Sequence, residues 1–409
     1  MVDYVGTVGN DIWTGTKKKD NAKGGGGDDY LDGAGNNDLL EGQGGDDTLQ
    51  GGAGDDTMLG GKGNDRIFDS AGSNLVFAGA GNDYVVVDGS NTVFGGAGDD
   101  FLWGGELHDD IWGEQGDDTV KGWDGDDFLR GGSGDNLVDG EDGYDWAVYF
   151  EASSAVTIDL GAGTAVGADL SDQLLNIEAA TGSSFGDTIT TGPAGAWILA
   201  YLGDDTVNGG VGDDLIQGDF GADTLFDDGG TNALYGEGGN DHINVLGSNY
   251  IDGGDGKDFL WGGEGSDTIF GGVGADTVLG WSGDDTLVGG AGADVIDGQA
   301  GYDEMWGQGG TDVFVFASVS DTAFANGDAI FDLQSGDRID LSAIDANVNS
   351  GGDQAFVLAN AFTGVARQLV REYDGVAWTS VQGDVNGDGA ADFNIWVYGD
   401  FETYTNFVL

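Results

Sequence analysis

Cut every nine residues from Gly95, the chain reads GGAGDDFLW, GGELHDDIW, GEQGDDTVK, GWDGDDFLR, GGSGDNLVD and GEDGYDWAV. In each unit the eighth residue is apolar, its two neighbours vary, and the six residues before them are polar and rich in glycine. Glycine reaches the positive-φ conformations of tight turns without penalty, so these six residues are predicted to turn. The last three are predicted to form a short strand. Side chains alternate between the faces of a strand, so only the middle one points inward, and two facing strands bury a thin aliphatic core. Two units then make one coil of an all-β parallel solenoid (β-roll), about 18 residues long and rising about 4.8 Å.

The pattern divides the chain. Residues 1–23 read as an N-terminal cap holding one weak repeat, with Gly9, Asp11 and Trp13 slightly out of phase. Array one occupies 24–148 and contains one eight-residue unit at 87–94; array two occupies 200–315, with its eight-residue unit at 245–252. A shift of 158 residues lays Phe101, Leu102 and Trp103 onto Phe259, Leu260 and Trp261, lays Trp123 onto Trp281, and superposes the two short units. The arrays therefore read as a tandem duplication. Between them, 149–199 alternates apolar and polar residues in short bursts, expected to continue the solenoid as strands with wider turns. From 316 the glycine period stops, and 316–409 is expected to form a β-rich cap.

The turns also carry a charge at fixed phase. The sixth position holds Asp29, Asp38, Asp47, Asp56, Asp65, Asp83, Asp100, Asp109, Asp118, Asp127 and Asp145 in array one. In array two it holds Asp205, Asp214, Asp223, Asp241, Asp258, Asp267, Asp276, Asp285, Asp294 and Asp303. Calcium takes six to eight hard oxygen ligands at about 2.3–2.6 Å, a demand met by a carboxylate and converging backbone carbonyls from stacked turns. Each aspartate is expected to share an ion with the loop 17 or 18 residues away. Asn74 and Asn91, and 158 residues later Asn232 and Asn249, replace the aspartate. A neutral amide both donates and accepts, so those facing loops are expected to pair without an ion. The consensus Gly-Gly-Xaa-Gly-Xaa-Asp-Xaa-apolar-Xaa resembles the calcium-binding, hemolysin-type repeat of RTX proteins.

Three later motifs extend the resemblance. IFDLQSGDRIDLSAI (330–344), GDVNGDGAADF (383–393) and the terminal Asn406-Phe407-Val408-Leu409 are together similar to the C-terminal domain of serralysins, RTX metalloproteases exported by type I secretion. LLNIE (174–178) and GSSFGD (182–187) resemble the strand module between RTX blocks. These likenesses imply a cap that closes the solenoid, an uncleaved C-terminal secretion signal, the type I secretion apparatus as a partner, and an extracellular location. A further calcium loop is expected at Asp384, Asn386, Asp388 and Asp392, whose DxNxDG start is that of an EF-hand-like loop, although Ile395 stands where the bidentate glutamate would be. Asn406 departs from the family, which usually places an acid there.

Composition narrows the function. Twelve Lys and Arg against 75 Asp and Glu give a formal charge of -63, which opposes binding to nucleic acid or to anionic membranes. Such a chain should repel itself into an expanded coil until cations neutralise it. The 84 glycines sit in phase, with a single proline, so the low-complexity reading fails. The absence of cysteine excludes disulfides and thiol chemistry. Residues 1–15 lack the basic and apolar regions of a cleavable signal peptide, and no apolar run reaches the roughly 18 residues of a membrane span. The His-Glu-Xaa-Xaa-His of a zincin is absent, and the two histidines, His108 and His242, each lie inside a repeat. Gly182-Ser183-Ser184-Phe185-Gly186 has the letters of a nucleophile elbow without the strand-to-helix context.

The ninth position faces outward and gathers large apolar residues around Phe94, Trp103 and Trp112, and again around Trp261, Phe270 and Trp306. This ladder is expected to be a contact surface. The reading is a secreted, non-enzymatic, calcium-stiffened structural protein that associates with itself or with a cell-surface component as a layer, filament or adhesin. The alternatives are an accessory or export and folding module of an RTX hydrolase whose catalytic domain is absent, and a carbohydrate-binding module.

Overall fold

One inward residue in nine dictates how the chain coils. The computed structural model describes residues 3–322 and 327–409, and among them strands joined by turns account for every regular element, with no helix. The chain divides into two compact units, Met1–Gly192 with Ala196–Tyr201, and Pro193–Gly195 with Leu202–Leu409.

The first unit is a parallel β-solenoid. Successive strands alternate between two sheets, so each pairs with the strand one full coil away: Leu39–Gly44 with Thr57–Lys62, and Thr48–Gln50 with Arg66–Phe68. The register step is 18 residues, as in Leu39 opposite Thr57, and falls to 17 across the eight-residue unit, as in Leu75 opposite Thr92. Leu49, Ile67, Val85, Leu102 and Val120 from one sheet meet Leu40, Met58, Val76, Val93 and Ile111 from the other, all fully buried. Each contributes about 1.5–3 kcal/mol, a thin core for nine residues of chain.

The N-terminal segment is in phase, contrary to the reading of a displaced repeat. Asp3–Val5 pairs with Asn21–Lys23 and Ile12–Thr14 with Tyr30–Asp32, in the register of the later coils. Thr7 stands where later units carry a second glycine, which weakens the motif without moving it. Lys23 lies in one of these strands, its ammonium 2.7 Å from Glu41. After Trp146–Val148 the coil opens. Thr164–Val166 pairs antiparallel with both Thr157–Asp159 and Ser171–Leu175, an excursion absent from the sequence reading. Ser171–Leu175 and Ala179–Thr181 then resume parallel pairing with Leu137–Asp142 and Trp146–Val148.

The second unit is also a parallel solenoid. Thr268–Gly274 pairs with Thr286–Gly292, and Thr277–Ser282 with Val295–Ala300. Leu260, Ile269, Val278, Leu287, Ile296, Met305 and Phe314 are fully buried. Beyond the array, Gln368–Tyr373, Trp378–Asp384 and Phe393–Tyr398 form an antiparallel meander, and Phe407–Val408 pairs parallel with Arg338–Asp340. The Asn406 amide donates to the carbonyls of Gly336 and Asp337, which a carboxylate could not do.

The outward aromatics do not form one patch. Phe94 stacks on Phe77 and leans on Trp112 within one sheet, whereas Trp103 belongs to the other sheet and packs edge-on against Trp123. In the second unit Trp261 packs on Trp281 in one sheet, while Phe270 and Trp306 lie in the other. Residues nine apart fall on opposite sheets because consecutive strands alternate.

Candidate metal centre

Many turns end on two polar residues that point along the solenoid in opposite directions. At the sixth position the backbone N–H of one coil donates to the Oδ1 of the aspartate in the next coil: Asp29 to Asp47 at 2.8 Å, Asp47 to Asp65 at 2.8 Å, Asp65 to Asp83 at 2.7 Å. At the fifth position the direction reverses, with Asp46 N–H donating back to Asp28 Oδ1 at 3.1 Å and Asn64 N–H to Asp46 Oδ1 at 2.8 Å. The fifth-position ladder lies at the surface and takes Asn64 and Asn82 as readily as Asp, since it needs only an acceptor oxygen.

The sixth-position ladders run as two columns in each unit. In the first, one column takes Asp11, Asp29, Asp47, Asp65, Asp83, Asp100, Asp118 and Asn136. The other takes Asp20, Asp38, Asp56, Asn74, Asn91, Asp109, Asp127 and Asp145. In the second unit, one column takes Asp205, Asp223, Asp241, Asp258, Asp276, Asp294, Asp312 and Asp337. The other takes Asp214, Asn232, Asn249, Asp267, Asp285, Asp303 and Asp328. All the array aspartates named from the sequence fall in these columns. Asp11, Asp20 and Asp312 were missed although they keep the nine-residue phase. Asp328 and Asp337 follow their partners by 25 residues, and no period marks them.

Only one carboxylate oxygen is used in this way. The Oδ2 atoms of Asp29, Asp38, Asp47, Asp56, Asp65, Asp83, Asp100, Asp109, Asp118, Asp127 and Asp145 are buried and accept no hydrogen bond. So are those of Asp223, Asp241, Asp258, Asp267, Asp276, Asp285, Asp294, Asp303 and Asp312. Each except Asp83, whose turn begins with the buried Ala78, faces a gap left by the first-position glycine of its own turn. A Cβ added at Gly95 would lie 2.6 Å from Asp100 Oδ2 and 2.8 Å from the carbonyl oxygen of Gly113; at Gly253, 2.6 Å from both Asp258 Oδ2 and the Gly271 carbonyl oxygen. A side-chain oxygen and a main-chain oxygen from adjacent coils thus converge where glycine leaves room.

A buried anion without donor or counter-charge costs several kcal/mol. Burial accordingly raises the carboxyl pKa of Asp65 and Asp118 to about 7 and of Asp100 and Asp109 to about 8. Desolvation drives the rise, the amide hydrogen bond opposes it, and neighbouring carboxylates add to it. The ion pairs of Lys121 with Asp139 and Glu141, and of Arg130 with Asp110, involve no column carboxylate. Among the described residues no three carboxylate or histidine side chains gather at one point. The donor set is one carboxylate per turn plus backbone carbonyls, all hard oxygen, and it fits calcium.

The exceptions have their own chemistry. Asn74 Nδ2 donates to Asn91 Oδ1 at 2.9 Å and Asn232 Nδ2 to Asn249 Oδ1 at 3.1 Å, as the amide pairing requires. The first positions of the Asn91 and Asn249 turns are Val87 and Val245, fully buried or nearly so, where most other turns carry glycine. In the C-terminal loop Asp384, Asn386 and Asp392 come together, but their oxygens accept from Gly387, Gly389, Val385 and Asp388 N–H groups and from Asn386 Nδ2. Asp388 is exposed and accepts from Ala390. No orphaned oxygen marks that loop, in contrast to the columns.

A family model described as the RTX calcium-binding nonapeptide repeat (4 copies) matches residues 5–40, 33–67, 59–88, 86–120, 105–138, 112–147, 181–216, 208–243, 245–278 and 279–314, together more than half of the chain. No curated protein matches it. Among solved structures, the AlgE6R3 subunit from the Azotobacter vinelandii mannuronan C5-epimerase is 28% identical, covering 36% of this chain and 78% of that chain. Its TM-score of 0.28 is too low to carry an argument.

Proposed function

The chain belongs to the RTX calcium-binding nonapeptide-repeat family, and we propose that it is a secreted, non-enzymatic structural protein whose coils fold on many calcium ions and then assemble outside the cell. The observation that carries this reading is the pair of carboxylate columns in each unit, in which most of the aspartates have one buried, hydrogen-bonded oxygen and one buried, unsatisfied oxygen. Calcium would be held by the sixth-position carboxylates and the carbonyls of first-position glycines. It would neutralise charges that otherwise repel along the whole column, and so tie each coil to the next. Where free calcium is low the same charges favour an expanded chain, a form suited to a secretion channel such as the type I apparatus; among the described residues no helix is long and apolar enough to cross a membrane.

Electron microscopy and circular dichroism of the purified chain, with millimolar calcium and with excess chelator, test the proposal. Calcium should give β-structure and ordered arrays, and chelator should give a largely disordered chain. Full β-structure in chelator at about pH 8 would remove the calcium-folding claim, and a calcium-loaded protein that stays dispersed would remove the assembly claim.

A further inference from the structure

The first position of a turn is glycine almost throughout because the gap beside it must stay open. Two turns break this rule with an acid. Asp69 and Asp227, 158 residues apart, occupy the first position of the turns whose sixth residues are Asn74 and Asn232. The carboxylate missing from the sixth position has moved to the first.

The move changes which step of the column carries the charge. Asp69 is 7% exposed and Asp227 2%. In each, Oδ1 accepts a backbone N–H two residues on, from Ala71 at 2.9 Å and from Gly229 at 2.9 Å, which fixes the side chain. The other oxygen, Oδ2, is buried without a partner. It is aimed into the gap of the preceding coil. A Cβ at Gly51 would lie 2.6 Å from Asp56 Oδ2 and closer still to Asp69 Oδ2; at Gly209 it would lie 3.2 Å from Asp214 Oδ2 and closer still to Asp227 Oδ2. Elsewhere that second place is taken by a neutral backbone carbonyl, such as Gly113 O opposite Asp100.

The geometry points to a second class of calcium site, one in each unit, in which two carboxylates, Asp56 with Asp69 and Asp214 with Asp227, hold one divalent cation. The inference rests on the reading that the columns take up calcium, and adds that these two steps do so most tightly. Oxygen-site affinity for calcium rises with the number of charged ligands, and these gaps offer two where the others offer one. The neighbouring step lacks a carboxylate on either side, being closed by the Asn74–Asn91 or Asn232–Asn249 amide pair. Each unit thus sets its most strongly charged step beside its neutral one.

Calcium binding by the full chain, titrated against a competing chromophoric chelator, reads this out. The variants are the double substitution Asp69→Asn with Asp227→Asn, which keeps the shape and the local turn, and each single substitution, in case the double variant folds poorly. Wild type should retain two ions at chelator concentrations that strip the rest. Each single variant should lose one of these ions and the double both, with affinity at those steps falling about tenfold or more, while circular dichroism in excess calcium stays unchanged. A wild-type isotherm without a tight class of two, or a tight class that survives in the double variant, overturns the inference; a proton shared between the two carboxylates in place of the cation would give the first of these results. A chain that takes up no calcium at all overturns the proposed function itself and this inference with it.

Discussion

Asn91 Nδ2 lies 3.0 Å from the carbonyl oxygen of Gly104 and donates to it. In neighbouring turns the corresponding first-position carbonyl faces a carboxylate across an open gap, so at this step an amide hydrogen supplies the positive charge density that a bound cation would supply elsewhere. The same amide nitrogen also donates to Gly89 O at 3.1 Å and Asp109 Oδ1 at 3.0 Å.

Asn91→Ala should therefore be costly even in saturating calcium. It strands the buried Gly104 carbonyl, takes one of two donors from Asp109 Oδ1, and removes the acceptor of Asn74 Nδ2. A loss of about 1–3 kcal/mol is expected, read as a lower midpoint in urea unfolding with calcium present. A midpoint equal to wild type would mean that the step tolerates unpaired groups.

The pKa shifts give a pH dependence of defined sign. Burial holds the folded carboxyls of Asp65, Asp100, Asp109 and Asp118 at about 7 to 8, well above the unfolded value near 4. A group with a raised folded pKa contributes stability that is present below the unfolded pKa and is lost as pH rises through the folded one. In chelator, β-structure should accordingly be favoured by acid and lost between about pH 4 and pH 8. Calcium uptake must displace the same protons, so affinity should fall as pH drops through 8 to 6. Calorimetric titration in two buffers of different ionisation enthalpy measures the protons released; zero release at pH 7 would contradict the assignment.

The division of the aromatics between two sheets separates the candidate assembly faces. Trp103→Ser with Trp261→Ser alters one sheet of each unit, and Phe94→Ser with Phe270→Ser alters the other. Burying one tryptophan contributes roughly 2–3 kcal/mol, so removing the Trp103 and Trp261 contacts should abolish association of the calcium-loaded protein in sedimentation velocity. Unchanged sedimentation in both double variants would show that the rings only cover their own sheets.

Much of this architecture is local and repeated, and was therefore legible. A strand has period two and the turn needs glycine, so a nine-residue phase was enough to place Leu102 and Ile111 in the core, Asp100 and Asp109 in the columns, and a 17-residue step at Asn91. The paired amides followed from the chemistry of asparagine once the phase was known. What the phase did not reveal depends on which residues meet across coils. Phe94 and Trp103 are nine apart yet occupy different sheets, because a coil closes only after two units. Asp328 and Asp337 extend the columns from segments with no repeat, since an amide N–H one coil away donates to any carboxylate brought to it. Asp69 reads in sequence as a defect in the glycine pattern, and only coiling sets its oxygen beside that of Asp56. The sequence by itself determined the period, the core positions and the hard-oxygen chemistry. The tertiary structure decided which oxygens share a gap and which faces the aromatics share, because these relations join residues a whole coil apart, where spacing along the chain carries no information about side-chain direction.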